Sequence, residues 1–329
     1  MPEGGASFGV VAIGRNEGDR LRRCLESALR DADRVVYVDS GSTDGSLEMA
    51  YHLGVGVVEL DMSVPFTAAR ARNEGFRRLR ELAPGLDYVQ FVDGDCEFVA
   101  GWLGKARSFL DGRADVAVVC GRRRERNPER SVYNMLCDIE WDTPVGQAKA
   151  CGGDAMMRAT AFENVGGFRP DLIAGEEPEL CVRLRAAGWK IWRLDEEMTL
   201  HDAAMLRFGQ WWKRTTRAGF AFAEGANLHG MPPERHWVRE SRSAWLWGLG
   251  LPLIAILAAV ASPMFGLLIM AVYPLQVLRL AAKGGRSTAR ENAWRALFIV
   301  LGKFPEMLGQ MRFFMRRATG GQGRLIEYK

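Results

Sequence analysis

The chain has no G-x-G-x-x-G and no G-x-x-x-x-G-K-[S/T]. Each of these motifs is a backbone cradle for phosphates, so neither a dinucleotide-binding fold nor a P-loop is supported. It has no C-x-x-C pair either. Its six cysteines stand singly at 24, 96, 120, 137, 151 and 181, several inside apolar runs. That spacing offers no zinc site and reads as reduced core thiols in a cytosolic compartment. An excess of charge of one sign is also lacking, with 44 Lys and Arg against 40 Asp and Glu. Formal net charge is +4, too small to argue for a nucleic-acid partner. Residues 1–7 are short, polar and glycine-rich, with a strand directly after them, so no signal peptide is expected. The last absence is local: residues 243–278 contain no Asp, Glu, Lys, Arg or His.

The centre of what is present is YVQFVDGDCEF, residues 88–98. Residues 88–92 are β-formers and mostly apolar, as in a strand covered on both faces. They run into Asp93-Gly94-Asp95. In an extended chain residues i and i+2 share a side, so the two carboxylates are expected to converge at the strand's carboxyl end. Adjacent carboxylates repel unless a cation lies between them, and a hard divalent ion suits oxygen ligands. A polar turn capping the strand is the simpler reading of the tripeptide alone.

Around it, strand and helix patterns alternate. Strands are expected at 8–13, 34–38, 55–60, 115–120, 150–158 and 189–194, and helices after Gly18 through Leu29, after the 40–46 loop through Leu53, and at 67–82. A further helix is expected after Gly175, with Pro178 at its first position. Such alternation implies a mainly parallel α/β sheet. Ligands in these sheets bind beyond the carboxyl ends of strands. Those ends carry Asn16-Glu17, Asp39 and Asp93–Asp95. The run RRRER at 122–126 suits an anionic substrate or membrane surface, or is simply a solvated face.

The ordered elements AIGRNE, VVYVDSGSTDGS, ARNEG, FVDGD, GGDAMMR…VGGF, GEEPELCVRLRAAGW and LHD resemble the family 2 glycosyltransferases, over residues 8–225. The resemblance implies the A-type glycosyltransferase fold and inversion at the anomeric carbon. It implies that Asp39 binds the nucleotide base, that Asn16, Glu17, Arg72 and Asn73 hold the nucleotide and its phosphates, and that Asp93 and Asp95 hold Mg²⁺ or Mn²⁺ on the diphosphate. His201 is implied as a further metal ligand. The family's catalytic Glu-Asp pair is Glu176-Glu177 here, so the base is Glu177, Glu176 or even Glu179, with Glu177 favoured. Acids at a helix start are also favoured by the helix dipole alone, by about 0.3–1 kcal/mol each. The implied partners are a nucleotide-sugar donor, a UDP-sugar first, and a lipid-linked or saccharide acceptor. Two other classes compete: a nucleotidyltransferase on a similar sheet, which should show a Lys-containing phosphate loop absent from AIGRNEG, and a membrane-tethered binding module without catalysis.

The 36 uncharged residues would make about 54 Å of helix, where one span needs about 20 residues. Ser262-Pro263 is a natural turn, giving two spans near 244–261 and 264–280. Arg235, Arg239 and Arg242 precede them; Arg279, Lys283, Arg286 and Arg290 follow. Both ends, with the catalytic domain at 1–225, are therefore expected on the cytoplasmic side, with 226–329 membrane-associated. Residues 293–311 read as an interfacial helix, and the Trp-rich segment 208–214 as an amphipathic segment at the interface.

Overall fold

The structure, a computed structural model, describes residues 7–285 and 288–320; residues 1–6, 286–287 (with Arg286) and the tail after 320 lie outside the described residues. The chain divides into two compact units, Met1–Asn127 with Glu140–Ala203, and Pro128–Ile139 with Ala204–Lys329.

The first unit holds the sheet. Its strands are β1 (Phe8–Gly14), β2 (Val35–Asp39), β3 (Gly56–Glu59), β4 (Tyr88–Asp93), β5 (Cys96–Phe98), β6 (Val116–Glu125), β7 (Gly146–Ala148), β8 (Ala155–Arg158) and β9 (Lys190–His201). Their order is β3-β2-β1-β4-β8-β6-β9-β5, with β7 also on β9. From β3 to β4 the neighbours are parallel. β8 then runs antiparallel between β4 and β6. β9 runs parallel to β6 and antiparallel to β5. The sheet is mixed, with a parallel half that follows from the alternating sequence. Val35–Val38 of β2 are buried, as a continuous apolar run requires, and Asp39 is buried at its end.

The helices as far as His229, in chain order, are α1 (Asp19–Leu29), α2 (Ser46–His52), α3 (Ala68–Leu82), α4 (Trp102–Asp111), α5 (Val132–Glu140), α6 (Ala159–Asn164), α7 (Glu176–Ala186) and α8 (Phe208–His229). α1 buries Leu21, Cys24, Leu25 and Ala28, the face its spacing sets out. α3 starts where Thr67 Oγ1 accepts the Arg70 N–H at 3.1 Å, a cap worth about 1 kcal/mol. One turn beyond Arg72, α3 lies so close to β1 and β2 that a Cβ on Gly75 would stand 2.3 Å from Val11 Cγ1. Glycine at 75 thus fixes how near Arg72 and Asn73 come to the strand ends.

Three expectations change. β6 and β9 continue well past their apolar parts, through Arg122–Glu125 and Asp195–His201, because they pair with each other over that length. α7 begins at Glu176 rather than Pro178. Pro178 still lies in the first turn, where N–H groups have no intrahelical partner. The segment 293–311 is not one helix: it belongs to Ala289–Leu301 and Lys303–Thr319, which meet at Gly302.

In the second unit, Val238–Ala261 and Pro263–Lys283 are long and apolar enough to cross a membrane. Leu257, Val260 and Leu267 on them are 70%, 84% and 67% exposed, unlike the residues of a soluble core helix. Segment 208–214 opens α8. There Phe208 is exposed, but Trp211 is buried with its ring 4.7 Å from that of Phe298. That half of the segment packs inside the unit instead of facing outward.

Candidate active site

The site forms where the ends of β1, β2, β4, β6 and β9 meet the starts of α3 and α7. At β4 the extended-chain argument for Asp93 and Asp95 does not apply. Residues 94–95 form a turn, and the two carboxylates take different partners. Asp93 Oδ1 meets Arg72 Nη2 at 2.7 Å and Asp93 Oδ2 meets Arg123 Nη2 at 3.3 Å. Asp95 Oδ1 lies 3.3 Å from His201 Nε2. Burial opposes ionisation of Asp93, but Arg72 and Arg123 outweigh it, and its pKa lies below the usual carboxylate value.

Arg72 is the hub. Its Nη1 reaches Glu176 Oε1 at 2.8 Å and Glu177 Oε1 at 3.0 Å, while Nη2 holds Asp93. Its guanidinium lies over the Phe168 ring, 5.6 Å from the centroid. Burial would weaken its charge, but Glu177, Asp93 and Glu176 more than restore it and hold its pKa above the ordinary value. The Glu177 carboxyl is shifted upwards. Burial and the charge of Glu176 push its pKa up to about 7, although Arg72 pulls the other way. A Cβ on Gly153 would stand 2.7 Å from Arg72 Nη2, 2.9 Å from Asp93 Oδ2 and 3.1 Å from Glu177 Oε1. The three groups therefore converge on one point, which only a glycine backbone can approach.

The remaining expected residues are spread around this cluster. Glu176 is buried against Arg72. Glu179 turns away: its carboxylate grips Arg183 at 2.7–3.0 Å, one turn along α7. Asp39 is buried and accepts from Tyr37 Oη at 2.8 Å and from the Gly41 and Ser42 N–H groups, each at 2.9 Å. Asn16 has φ 55°, and its Oδ1 accepts the Thr43 N–H at 2.7 Å. Asn16 and Asp39 thus shape the 40–43 loop. Glu17 pairs with Arg20 at 2.7 Å. Asn73 clamps the Phe168 backbone from both sides, Nδ2 to O at 2.7 Å and N to Oδ1 at 3.0 Å, so its side chain is spent on the 166–168 turn.

Reading the sequence missed Asp154 and Glu125. Asp154 is fully buried at the start of β8. It accepts from Arg123 Nε and Nη2, from Thr199 Oγ1 and from the Asp93 backbone N–H. Arg123 was expected only as part of a basic run; a strand reading of residues 121–125 would have put alternate arginines on the inner face. Glu125 lies beside His201, its Oε2 3.6 Å from Nδ1.

The residues fit a divalent cation. Carboxylates of Asp93, Asp95, Glu125, Asp154, Glu176 and Glu177 outnumber the guanidiniums of Arg72 and Arg123 and the imidazole of His201, so added positive charge is favourable. Among the described residues, ligand atoms of Asp95, Cys96 and His201 lie within 4.8 Å of one another. Burial and Asp154 raise the Cys96 thiol well above its ordinary pKa, which leaves the Asp95 oxygen and the His201 nitrogen as donors. Burial disfavours a charged His201, yet Asp95 and Glu125 raise its pKa, so the pocket attracts positive charge at that ring.

The mixed sheet, with a DxD turn at its centre and an acid pair opening a later helix, matches solved structures of the A-type glycosyltransferase fold. The chain is similar to the mannosyltransferase PcManGT of Pyrobaculum calidifontis, solved with GDP-Man and Mn²⁺, with a TM-score of 0.64 and 18% identity, over 94% of this chain and 88% of that one. For TarS 1–349 of S. aureus the TM-score is 0.50 and the identity 15%, over 96% and 92%. Residues 10–164 match the family model for glycosyl transferase family 2. Two curated relatives are each 29% identical: the succinoglycan biosynthesis protein ExoA of Rhizobium meliloti, over 50% of this chain and 52% of its own length, and the pre-mycofactocin glycosyltransferase of Mycobacterium tuberculosis, over 59% and 42%. The chain spans about half the length of the curated relatives it matches.

Proposed function

We propose that this chain is a metal-dependent, inverting glycosyltransferase anchored at the cytoplasmic face of a membrane. It moves a sugar from a nucleotide-sugar donor to a lipid-linked or saccharide acceptor. The observation that carries this reading is the convergence of Arg72, Asp93 and Glu177 on Gly153, beside the Asp95–His201 pair. It joins a cation-attracting corner to a carboxyl whose pKa is suited to accepting a proton near neutrality.

Asp95 and His201 would hold the metal, with Asp93 next to them. When bound, Mg²⁺ or Mn²⁺ supplies positive charge against a departing diphosphate. Arg123 and Arg72 add fixed positive charge at the same corner, without reorganisation. Asp39 and Asn16 hold the loop at the end of β2, the edge at which a nucleotide base would be read. Glu177 takes the proton from the acceptor hydroxyl. The acceptor oxygen bonds to the anomeric carbon as the bond to the nucleoside diphosphate breaks on the opposite face, and configuration inverts. On α7, Glu177 lies near Asp93 and its pKa is raised, while Glu179 is held by Arg183.

The activity test uses purified full chain and a panel of UDP- and GDP-sugars, read by nucleoside diphosphate release; PcManGT, with GDP-Man, is the reason for including the second nucleotide. Asp95→Ala, or chelator added to the wild type, abolishes release while the melting curve stays cooperative. Full release in chelator without added metal contradicts the metal's role.

The membrane part has its own test. The two apolar helices meet at Ser262, between flanks containing Arg242 and Arg279. A cysteine near Ser262 is labelled by an impermeant thiol reagent from outside the cell, and one at Thr319 is not. Recovery of the intact chain in the soluble fraction without detergent overturns the anchor.

A further inference from the structure

The ends of three neighbouring strands set Asp95, His201 and Glu125 in a row. In the register of the sheet His201 on β9 is opposite Cys96 on one side and Glu125 on the other. Asp95 immediately precedes Cys96, and its backbone carbonyl accepts the Asp202 N–H at 3.1 Å. His201 Nε2 therefore faces Asp95 Oδ1 at 3.3 Å, and Nδ1 faces Glu125 Oε2 at 3.6 Å. All three side chains are buried. The His201 Nδ1 atom is buried and makes no hydrogen bond. The Trp141 ring stands edge-on to the imidazole, 4.7 Å between centroids, and limits how the ring can turn.

Glu125 is itself fixed. Its Oε2 accepts the Ala203 N–H at 3.0 Å and its Oε1 the Asn127 N–H at 3.2 Å, so the backbone just beyond β6 and β9 holds the carboxylate in place. A neutral imidazole has one lone pair and one N–H. If Nε2 gives its lone pair to a cation, the proton must sit on Nδ1, and a buried N–H without an acceptor is costly. The carboxylate facing that nitrogen is Glu125, 3.6 Å away.

We propose that Glu125 is a positioning residue that fixes the tautomer and ring orientation of His201, and so sets the affinity of the site for a divalent cation. This rests on the reading of Asp95 and His201 as the metal-holding pair. Outer carboxylates on a ligating histidine typically change metal affinity by 10–100-fold. Glu125→Gln removes the charge and keeps the size. Glu125→Asp keeps the charge but withdraws it by one methylene. A merely attractive charge would tolerate the second change; a positioning carboxylate would not.

The experiment titrates Mn²⁺ alone into purified full chain and follows unbound ion by electron paramagnetic resonance, with melting curves on every variant. Asp95→Ala is the control, expected to lose binding. Both Glu125 variants are expected to bind Mn²⁺ about 10–100-fold more weakly with a cooperative melt. The Mn²⁺ concentration for half-maximal nucleoside diphosphate release should rise in step, while the rate at saturating Mn²⁺ stays near wild type. If Asp95→Ala binds Mn²⁺ as the wild type does, the metal reading falls and this inference with it. If Asp95→Ala loses binding but a folded Glu125 variant keeps wild-type affinity, the inference alone is overturned. Should Glu125→Gln not fold, Glu125→Asp decides.

Discussion

Glu177→Gln lowers the rate of sugar transfer by about 10²–10⁴-fold, the usual worth of a general base, and leaves donor affinity nearly unchanged. The amide keeps the volume and removes the basicity. Donor affinity is spared because the nucleotide and its diphosphate belong, in this reading, to the Asp39 loop and the Asp95–His201 corner. The pH profile carries a second signature. Burial and Glu176 raise the Glu177 carboxyl to about 7, and only its deprotonated form can accept a proton. In the wild type kcat/KM therefore rises with pH through about 7 and levels off above it; in Glu177→Gln that rising limb disappears. Stability runs the other way. The folded pKa lies above the ordinary value of 4.5, so the fold favours the protonated form. That contribution is full below about 4.5 and is lost as pH rises towards 7. Glu177→Gln should accordingly melt no lower than the wild type at pH 8. Glu176→Gln should cost less rate, and Glu179→Gln should act through stability, because it breaks the pair with Arg183. Rate measurements in which Glu176→Gln is the inactive variant and Glu177→Gln is near wild type would move the base by one residue.

Why Glu177 could be found in the sequence, while its surroundings could not, is a matter of range. The parallel half of the sheet was legible because each strand is a short apolar run and each helix a spaced apolar face. Val10–Ile13, Val35–Val38 and Tyr88–Val92 are local patterns with local causes. The strand ends were legible because polar residues at that place have few structural reasons to be there. The Asp93–Asp95 geometry was not, because the chain turns at Gly94, and a turn cancels the two-residue alternation on which the argument stood. The polar halves of β6 and β9 read as loops because their pairing, Arg122 to Glu125 against Glu197 to His201, is with a partner about 75 residues away in the chain. Only once that pairing exists do Arg123, Glu125 and His201 acquire an inside and an outside. Asp154 is the extreme case. It sits in the quoted GGD element, yet nothing nearby in the sequence suggests the arginine 31 residues before it or the threonine 45 after it.

Asp154→Ala is expected to destabilise the first unit by about 3–5 kcal/mol, the range for breaking one side of a buried ion pair. The side chain is fully buried, and its two oxygens take four hydrogen bonds: from Arg123 Nε at 3.0 Å and Nη2 at 2.6 Å, Thr199 Oγ1 at 2.7 Å and the Asp93 N–H at 3.1 Å. Removing it leaves a guanidinium, a hydroxyl and a backbone N–H in a place with little water to replace the acceptor. For a unit of this size the loss corresponds to a fall in melting temperature on the order of 10 °C. Scanning calorimetry on the purified full chain would show it. Sugar transfer should fall as well, because Arg123 is no longer held against Asp93 and the Asp93 backbone loses a partner. Two further variants separate charge from packing. Asp154→Asn keeps one acceptor oxygen but not the charge, and should fall between wild type and Asp154→Ala. Arg123→Met combined with Asp154→Leu removes both charges together, and should melt higher than Asp154→Ala alone, since no unpaired buried ion remains. A melting temperature unchanged in Asp154→Ala would show that water reaches this corner freely. The network around Asp93 would then be a surface feature and not the buried support described here.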